Sequence, residues 1–248
     1  MNISPISYRT PNFQSNKRSI FDNQGKLLYK TTTYMFRDDF DWSPFLELIK
    51  SKYANTPKVN FVIEGCSNGA ECYSAAMKIL TELANESKKF FPIIARDIDS
   101  CNIEHAKQGA QIGITNYDLY RINYHTKGRI NEFMEYKQTS NPSYFAALAP
   151  KQALQEQIQF SKGDIMQDIY NIPNKNTILL CRNFWQYLNE DNKNEIARVL
   201  SERLDHSSLV GIGAFDSGAQ EALEANGFLQ TGVENIYTKP SCPNYRLF

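Results

Sequence analysis

Two carboxylates, Asp97 and Asp99, close an apolar run at Ile93–Ser100 (IIARDIDS), downstream of a glycine turn in Phe61–Ser74 (FVIEGCSNGAECYS). In an open α/β sheet, a glycine turn between strand and helix lets backbone approach a ligand. An acid after the next strand accepts from ribose hydroxyls. The pattern implies a nucleoside-like ligand. A dinucleotide fingerprint needs a third glycine, but here only Gly65 and Gly69 are present, with Glu71 in the first turn of the following helix. A carboxylate there repels a pyrophosphate and suits an ammonium or sulfonium cation. S-adenosylmethionine (SAM) carries both on an adenosine and is favoured over NAD. Asp97 is the ribose candidate, and Asp99 a helix cap.

Further along, Arg182 directly follows the apolar run Thr177–Cys181, a position where loops at strand ends build sites. Tyr187 stands with Phe184 and Trp185, a group that could equally be packing aromatics. No catalytic dyad is recognisable, which agrees with methyl transfer. That reaction is an in-line displacement in which the protein supplies alignment and desolvation. An ionised carboxylate acceptor needs no general base, only a guanidinium or phenol to hold it. The five cysteines (Cys66, Cys72, Cys101, Cys181, Cys242) form no C-x-x-C pair, and His105, His125 and His206 are dispersed. No metal is expected, and a reduced cytoplasmic setting fits.

The elements that must position these residues alternate. Val59–Glu64 reads as a buried strand, Glu71–Ala84 as a helix with one apolar stripe, Pro92–Arg96 as a strand and Ser100–Gly109 as a helix. Near the far end come the strand Thr177–Cys181, the helix Asn189–Leu204, the strand Leu209–Phe215, a short helix at Gln220–Asn226 and an edge strand at Ile236–Thr238. Phe40–Lys52 reads as a short helix. This order predicts a doubly wound, Rossmann-like α/β domain with a mostly parallel sheet. Gln111–Phe160 is too long for a crossover and is expected to form a small inserted subdomain, with a helix at Arg129–Tyr136 and a hairpin of Tyr144–Leu148 with Gln155–Phe160.

At 248 residues and 42% hydrophobic content, one core with an elaboration is expected. Residues 1–30 read as a polar arm and 31–248 as the domain. Equal numbers of basic and acidic residues, 27 each, provide no global field for nucleic acid or an anionic membrane surface. No apolar run suggests a signal or membrane insertion.

Several segments, in order, resemble the CheR family, SAM-dependent methyltransferases that esterify glutamates on chemotaxis receptors. GCSNGAECYS at Gly65–Ser74 is similar to the family's G-C-S-T-G-E-E-P-Y-S; Asp97–Asp99 matches its D-I-D; CRNFWQY at Cys181–Tyr187 matches its C-R-N-x-x-x-Y. TTTYMFRD at Thr31–Asp38 resembles its threonine-bearing F-R segment, and GAFD at Gly213–Asp216 its G-H-S-E turn. The resemblance implies a class I methyltransferase fold with an antiparallel last strand and SAM as cofactor, S-adenosylhomocysteine (SAH) being the product. It implies that Thr33, Arg37 and Glu71 hold the cofactor's amino-acid end, beside the Gly65–Gly69 turn, and that Asp97 holds its ribose. Asp164 and Ile165 would lie near adenine, and Arg182 and Tyr187 near the methyl group and the incoming carboxylate.

Ala70 and Cys72 replace a glutamate and a proline of the family pattern, and Asp164 replaces an asparagine. The family's helical N-terminal domain has no counterpart in the polar arm. The expected activity is therefore SAM-dependent methylation, with protein carboxylates as the leading acceptor. The alternatives are a small molecule or another side chain as acceptor, or a non-catalytic SAM- or SAH-binding module.

Overall fold

The computed structural model describes residues 17–21, 27–109 and 111–241, with backbone alone for 17–21 and 27–32; Cys242 lies outside them. In chain order the elements are β1 (Lys17–Phe21), β2 (Leu27–Thr32), α1 (Trp42–Lys52), β3 (Asn60–Glu64), α2 (Ala70–Leu83), β4 (Ile93–Asp97) and α3 (Ser100–Lys107). There follow β5 (Ile112–Ile114), α4 (Asn116–His125), α5 (Ile130–Phe133), β6 (Met134–Lys137), β7 (Ala146–Pro150), α6 (Gln152–Gln155), β8 (Ile158–Lys162) and α7 (Ile165–Asp168). The chain ends with β9 (Thr177–Cys181), α8 (Glu190–Arg203), β10 (Leu209–Ile212), α9 (Ala219–Ala225), β11 (Leu229–Gln230) and β12 (Ile236–Thr238).

Seven strands form the main sheet in the order β11-β12-β10-β9-β3-β4-β8. Neighbours from β10 through β8 pair in parallel, whereas β12 runs antiparallel to both β10 and β11. The period of two along each strand divides the core. Phe61, Ile63, Ile178 and Leu180 face the layer of α1, α2 and α3, while Val62, Leu179 and Cys181 face that of α8 and α9. Burial on both faces is why these strands read as unbroken apolar runs. Chain order reverses at β3, flanked by β4 on one side and β9 on the other, and a crevice opens at the strands' carboxyl ends there.

The inserted segment departs from expectation. Gln155–Phe160 does not pair with Tyr144–Leu148. Its strand, β8, joins the main sheet beside β4 with Ile93 opposite Ile158, and β7 instead lies between β5 and β6 in a separate three-stranded antiparallel sheet. The helix expected over Arg129–Tyr136 is a single turn that runs straight into β6. A further helix, α4, starts at a capping box in which Thr115 and Asp118 satisfy each other's backbone N–H groups. In the polar arm, β1 and β2 form an antiparallel pair, with Ser19 opposite Lys30. Among the described residues no helix is long and apolar enough to cross a membrane, and no cluster of His, Cys, Asp and Glu could hold a metal ion.

Candidate cofactor site

A cavity of about 260 Å³ lies at the carboxyl ends of β3, β4, β8 and β9. Its floor is the turn between β3 and α2. Gly65 has φ +71°, and a Cβ there would sit 2.9 Å from Phe184 Cδ1, so glycine is needed both for the conformation and for the approach of the ring. Asp97, at the end of β4, ties the turn down. Its Oδ2 accepts from Ser67 N at 2.7 Å and its Oδ1 from Asp99 N at 2.8 Å. Each oxygen keeps a second lone pair. Burial pushes this carboxyl upward against the pull of those two amides. Asp99 caps α3 by accepting from Cys101 N.

Gly69 is the exception among the expected residues. It starts α2 at φ +88°, against Phe160 and Tyr73, and does not line the cavity. Its glycine supplies the left-handed conformation from which the helix starts. Thr33, Arg37, Glu71, Asp164, Ile165, Arg182 and Tyr187 do line it. Asp164 also caps α7, its Oδ1 accepting from Met166 N at 3.0 Å.

The amino end of α2 carries a buried charge network. Arg182, whose side chain is fully buried, places Nη1 3.0 Å from Glu71 Oε2 and donates from Nη2 to Asp39 Oδ1 at 2.8 Å. Asp39 also meets Arg37 Nη2 at 3.1 Å, and the Phe40 ring lies 4.2 Å from the Arg182 guanidinium. The resemblance sets Arg182 near the methyl group and the incoming carboxylate; it lines the cavity, and its guanidinium is shared between two internal carboxylates. Burial pushes the Glu71 carboxyl up, and Arg182 opposes this. Glu71 Oε1 is buried without a hydrogen-bond partner.

Two features were not assigned from the sequence. Glu64, the acid ending β3, lines the cavity at 2% exposure and accepts from Arg96 Nη1 at 2.9 Å. Burial pushes its carboxyl up to about 7, with Arg96 pulling the other way. Asp39 had no local signal, because its partner Arg182 is 143 positions away.

The segment that supplies Thr33 and Arg37 is pinned from behind. Phe36 N donates to Ser74 Oγ at 2.8 Å, and the Phe36 ring stacks on His125 at 4.6 Å. From α4, Arg121 donates to Met35 O at 3.1 Å and to Asp38 Oδ2 at 2.9 Å. The inserted segment thereby braces one wall of the cavity.

These residues fit SAM. The unpartnered Glu71 oxygen suits a cation, the spare lone pairs of Asp97 suit hydroxyls, and Ile98, Ile165, Met166 and Phe184 offer apolar surface to a purine.

Residues 31–228 match the family described as CheR methyltransferase, SAM binding domain. A relative described as "Putative methyltransferase Cher3", from Pseudomonas putida, is 25% identical over 183 residues, covering 74% of this chain and 63% of its own length. A "Chemotaxis protein methyltransferase" from Borreliella burgdorferi is 26% identical over 191 residues, covering 73% and 62%. The chain thus spans less than two thirds of the length of these curated relatives. Among solved structures, a TehB-like SAM-dependent methyltransferase from Corynebacterium glutamicum matches with a TM-score of 0.40 at 14% identity, over 83% of this chain and 90% of that one. With the match running from the segment that bears Thr33 to the end of α9, the chain belongs to the CheR methyltransferase family and carries its SAM-binding domain.

Proposed function

We propose that the protein is a SAM-dependent methyltransferase that esterifies protein carboxylates, glutamate foremost. The observation that carries the cofactor in this reading is the unpartnered, buried Glu71 Oε1 in a cavity at the switch point of the sheet, and the carboxylate acceptor follows the family resemblance. A carboxylate paired to Arg182 through one oxygen and unpartnered at the other suits the cationic end of a sulfonium amino acid better than any phosphate. Bound SAM supplies an electrophilic methyl group.

The chain's own residues do the rest. Asp97 accepts from the ribose hydroxyls, Glu71 faces the ammonium, and Thr33 and Arg37 receive the amino acid's carboxylate. Ile165, beside Asp164, covers the adenine. Phe184 and Leu188 exclude water, which strengthens each of these electrostatic contacts. Arg182 holds Glu71 in place, and the Tyr187 phenol is the donor that aligns the incoming carboxylate. That acceptor is ionised at neutral pH and needs no base. The four described cysteines are free, in keeping with a reducing cytoplasmic compartment.

Incubation with methyl-labelled SAM and lysate proteins tests the acceptor. Label released as methanol by mild alkali is expected, and label that stays attached as N-methyl overturns the carboxylate assignment. Calorimetry with SAH tests the cofactor, and no detectable binding would overturn the SAM-dependent reading.

A further inference from the structure

We propose that Asp216 is a positioning residue for the cofactor site, its carboxylate clamping the Arg182–Leu188 loop to the end of β10 and so fixing the wall that covers the ligand. The proposal rests on the function inferred above. Asp216 does not line the cavity, but the loop it holds contributes Arg182, Asn183, Phe184, Tyr187 and Leu188 to the lining.

The clamp is built from three backbone donors. Asp216 Oδ2 accepts from Asn183 N and from Gly213 N, both at 2.7 Å, and Oδ1 accepts from Trp185 N at 3.1 Å. The side chain is buried, with Asp216 at 5% exposure. Two loops at the ends of adjacent parallel strands are therefore joined through one carboxylate. Gly213 permits the approach, since a Cβ there would lie 2.8 Å from both Asn183 Oδ1 and Asp216 Oδ2.

The held loop turns through a left-handed residue. Asn183 has φ +66°, the left-handed region that asparagine adopts more readily than other side chains, so the turn is specified by sequence as well as by the clamp. A second peg, Trp185 Nε1 donating to Cys181 O at 2.7 Å, anchors the indole beneath the sheet. Between the two pegs lies Phe184, whose ring closes on Gly65. Releasing the first peg frees that ring. Asparagine has the same shape, but it offers one acceptor oxygen and turns an NH₂ toward a backbone donor. It cannot reproduce the clamp.

The test measures SAH affinity by calorimetry alongside unfolding, in wild type, Asp216→Asn and Val199→Ala. Val199 is buried in α8 within the same apolar cluster as Trp185 and is not among the residues that line the cavity. Asp216→Asn is expected to weaken SAH binding at least tenfold, while Val199→Ala loses stability and keeps affinity within twofold. Parallel losses in both variants, or unchanged affinity in Asp216→Asn, would overturn the proposal.

Hydrogen exchange in the wild-type protein decides the clamp even if Asp216→Asn fails to fold. The amides of Asn183, Trp185 and Gly213 should be protected like those of β9 and β10, and rapid exchange at all three refutes it. If wild type does not bind SAH, the functional reading falls, and the exchange result still decides the clamp.

Discussion

Replacing Arg182 with methionine keeps the volume of the side chain and removes the charge that Glu71 and Asp39 share. Glu71 and Asp39 have side-chain exposures of 12% and 6%, and they lie 3.0 and 2.8 Å from the guanidinium. Asp39 retains Arg37 at 3.1 Å, so Glu71 carries most of the loss. Removing one partner of a buried pair leaves an uncompensated charge and costs about 3–5 kcal/mol. For a chain of this size each kcal/mol moves the midpoint of thermal unfolding by about 2–4 °C, so a fall of roughly 6–20 °C is expected. SAH affinity should fall with it, because the orientation of Glu71 depends on the guanidinium. Adding Glu71→Gln removes the stranded charge. The double variant should then be more stable than the sum of the two single losses by about 1–3 kcal/mol. Urea unfolding of the four proteins measures the cycle. Strict additivity, or a single-variant loss below about 1 kcal/mol, would refute the view that these groups act as a unit.

Glu64 predicts an unusual slope of stability with pH. Its folded-state carboxyl lies at about 7, above the ordinary value of 4.5, so the folded protein holds that proton more tightly than the unfolded chain. Its contribution to stability therefore declines as pH rises from about 4.5 to about 7, by roughly 3 kcal/mol in total. Urea unfolding across that window should show a shallower decline in Glu64→Gln; superimposable profiles would exclude this assignment. Gly65→Ala forces a side chain into φ +71° and against Phe184. Strain of about 1–2 kcal/mol should appear as a stability loss of that size in urea unfolding, and undiminished stability would show that the turn does not require glycine.

The sheet was legible because its strands are buried on both faces: β3, β4 and β9 are short apolar runs, each followed by turn chemistry. The glycine turn and Asp97 were legible because their spacing reflects a local strand–turn–helix unit. The inserted segment was not, for two separate reasons. Ile130 and Phe133 have helical spacing, yet they occupy a single turn before Met134 enters a strand. The pairing of β8 with β4 joins residues such as Ile93 and Ile158, and local periodicity carries no information about so distant a neighbour. The same limit hid the charge network. Arg182 and Glu71 each stood out by position, but their meeting, and the presence of Asp39 between Arg182 and Arg37, is a product of the fold.

The bracing of the Met35–Asp38 stretch by α4 means that the cavity and the inserted lobe are one mechanical object. Cutting the lobe away would strip Met35 O of its donor, Asp38 of its counter-ion and Phe36 of its stacking ring. A wall encoded near the start of the chain would then keep its tie to Ser74 on α2 but lose the support of α4 at its back. The lobe is a buttress, and a minimal SAM-binding domain of this protein has to keep it.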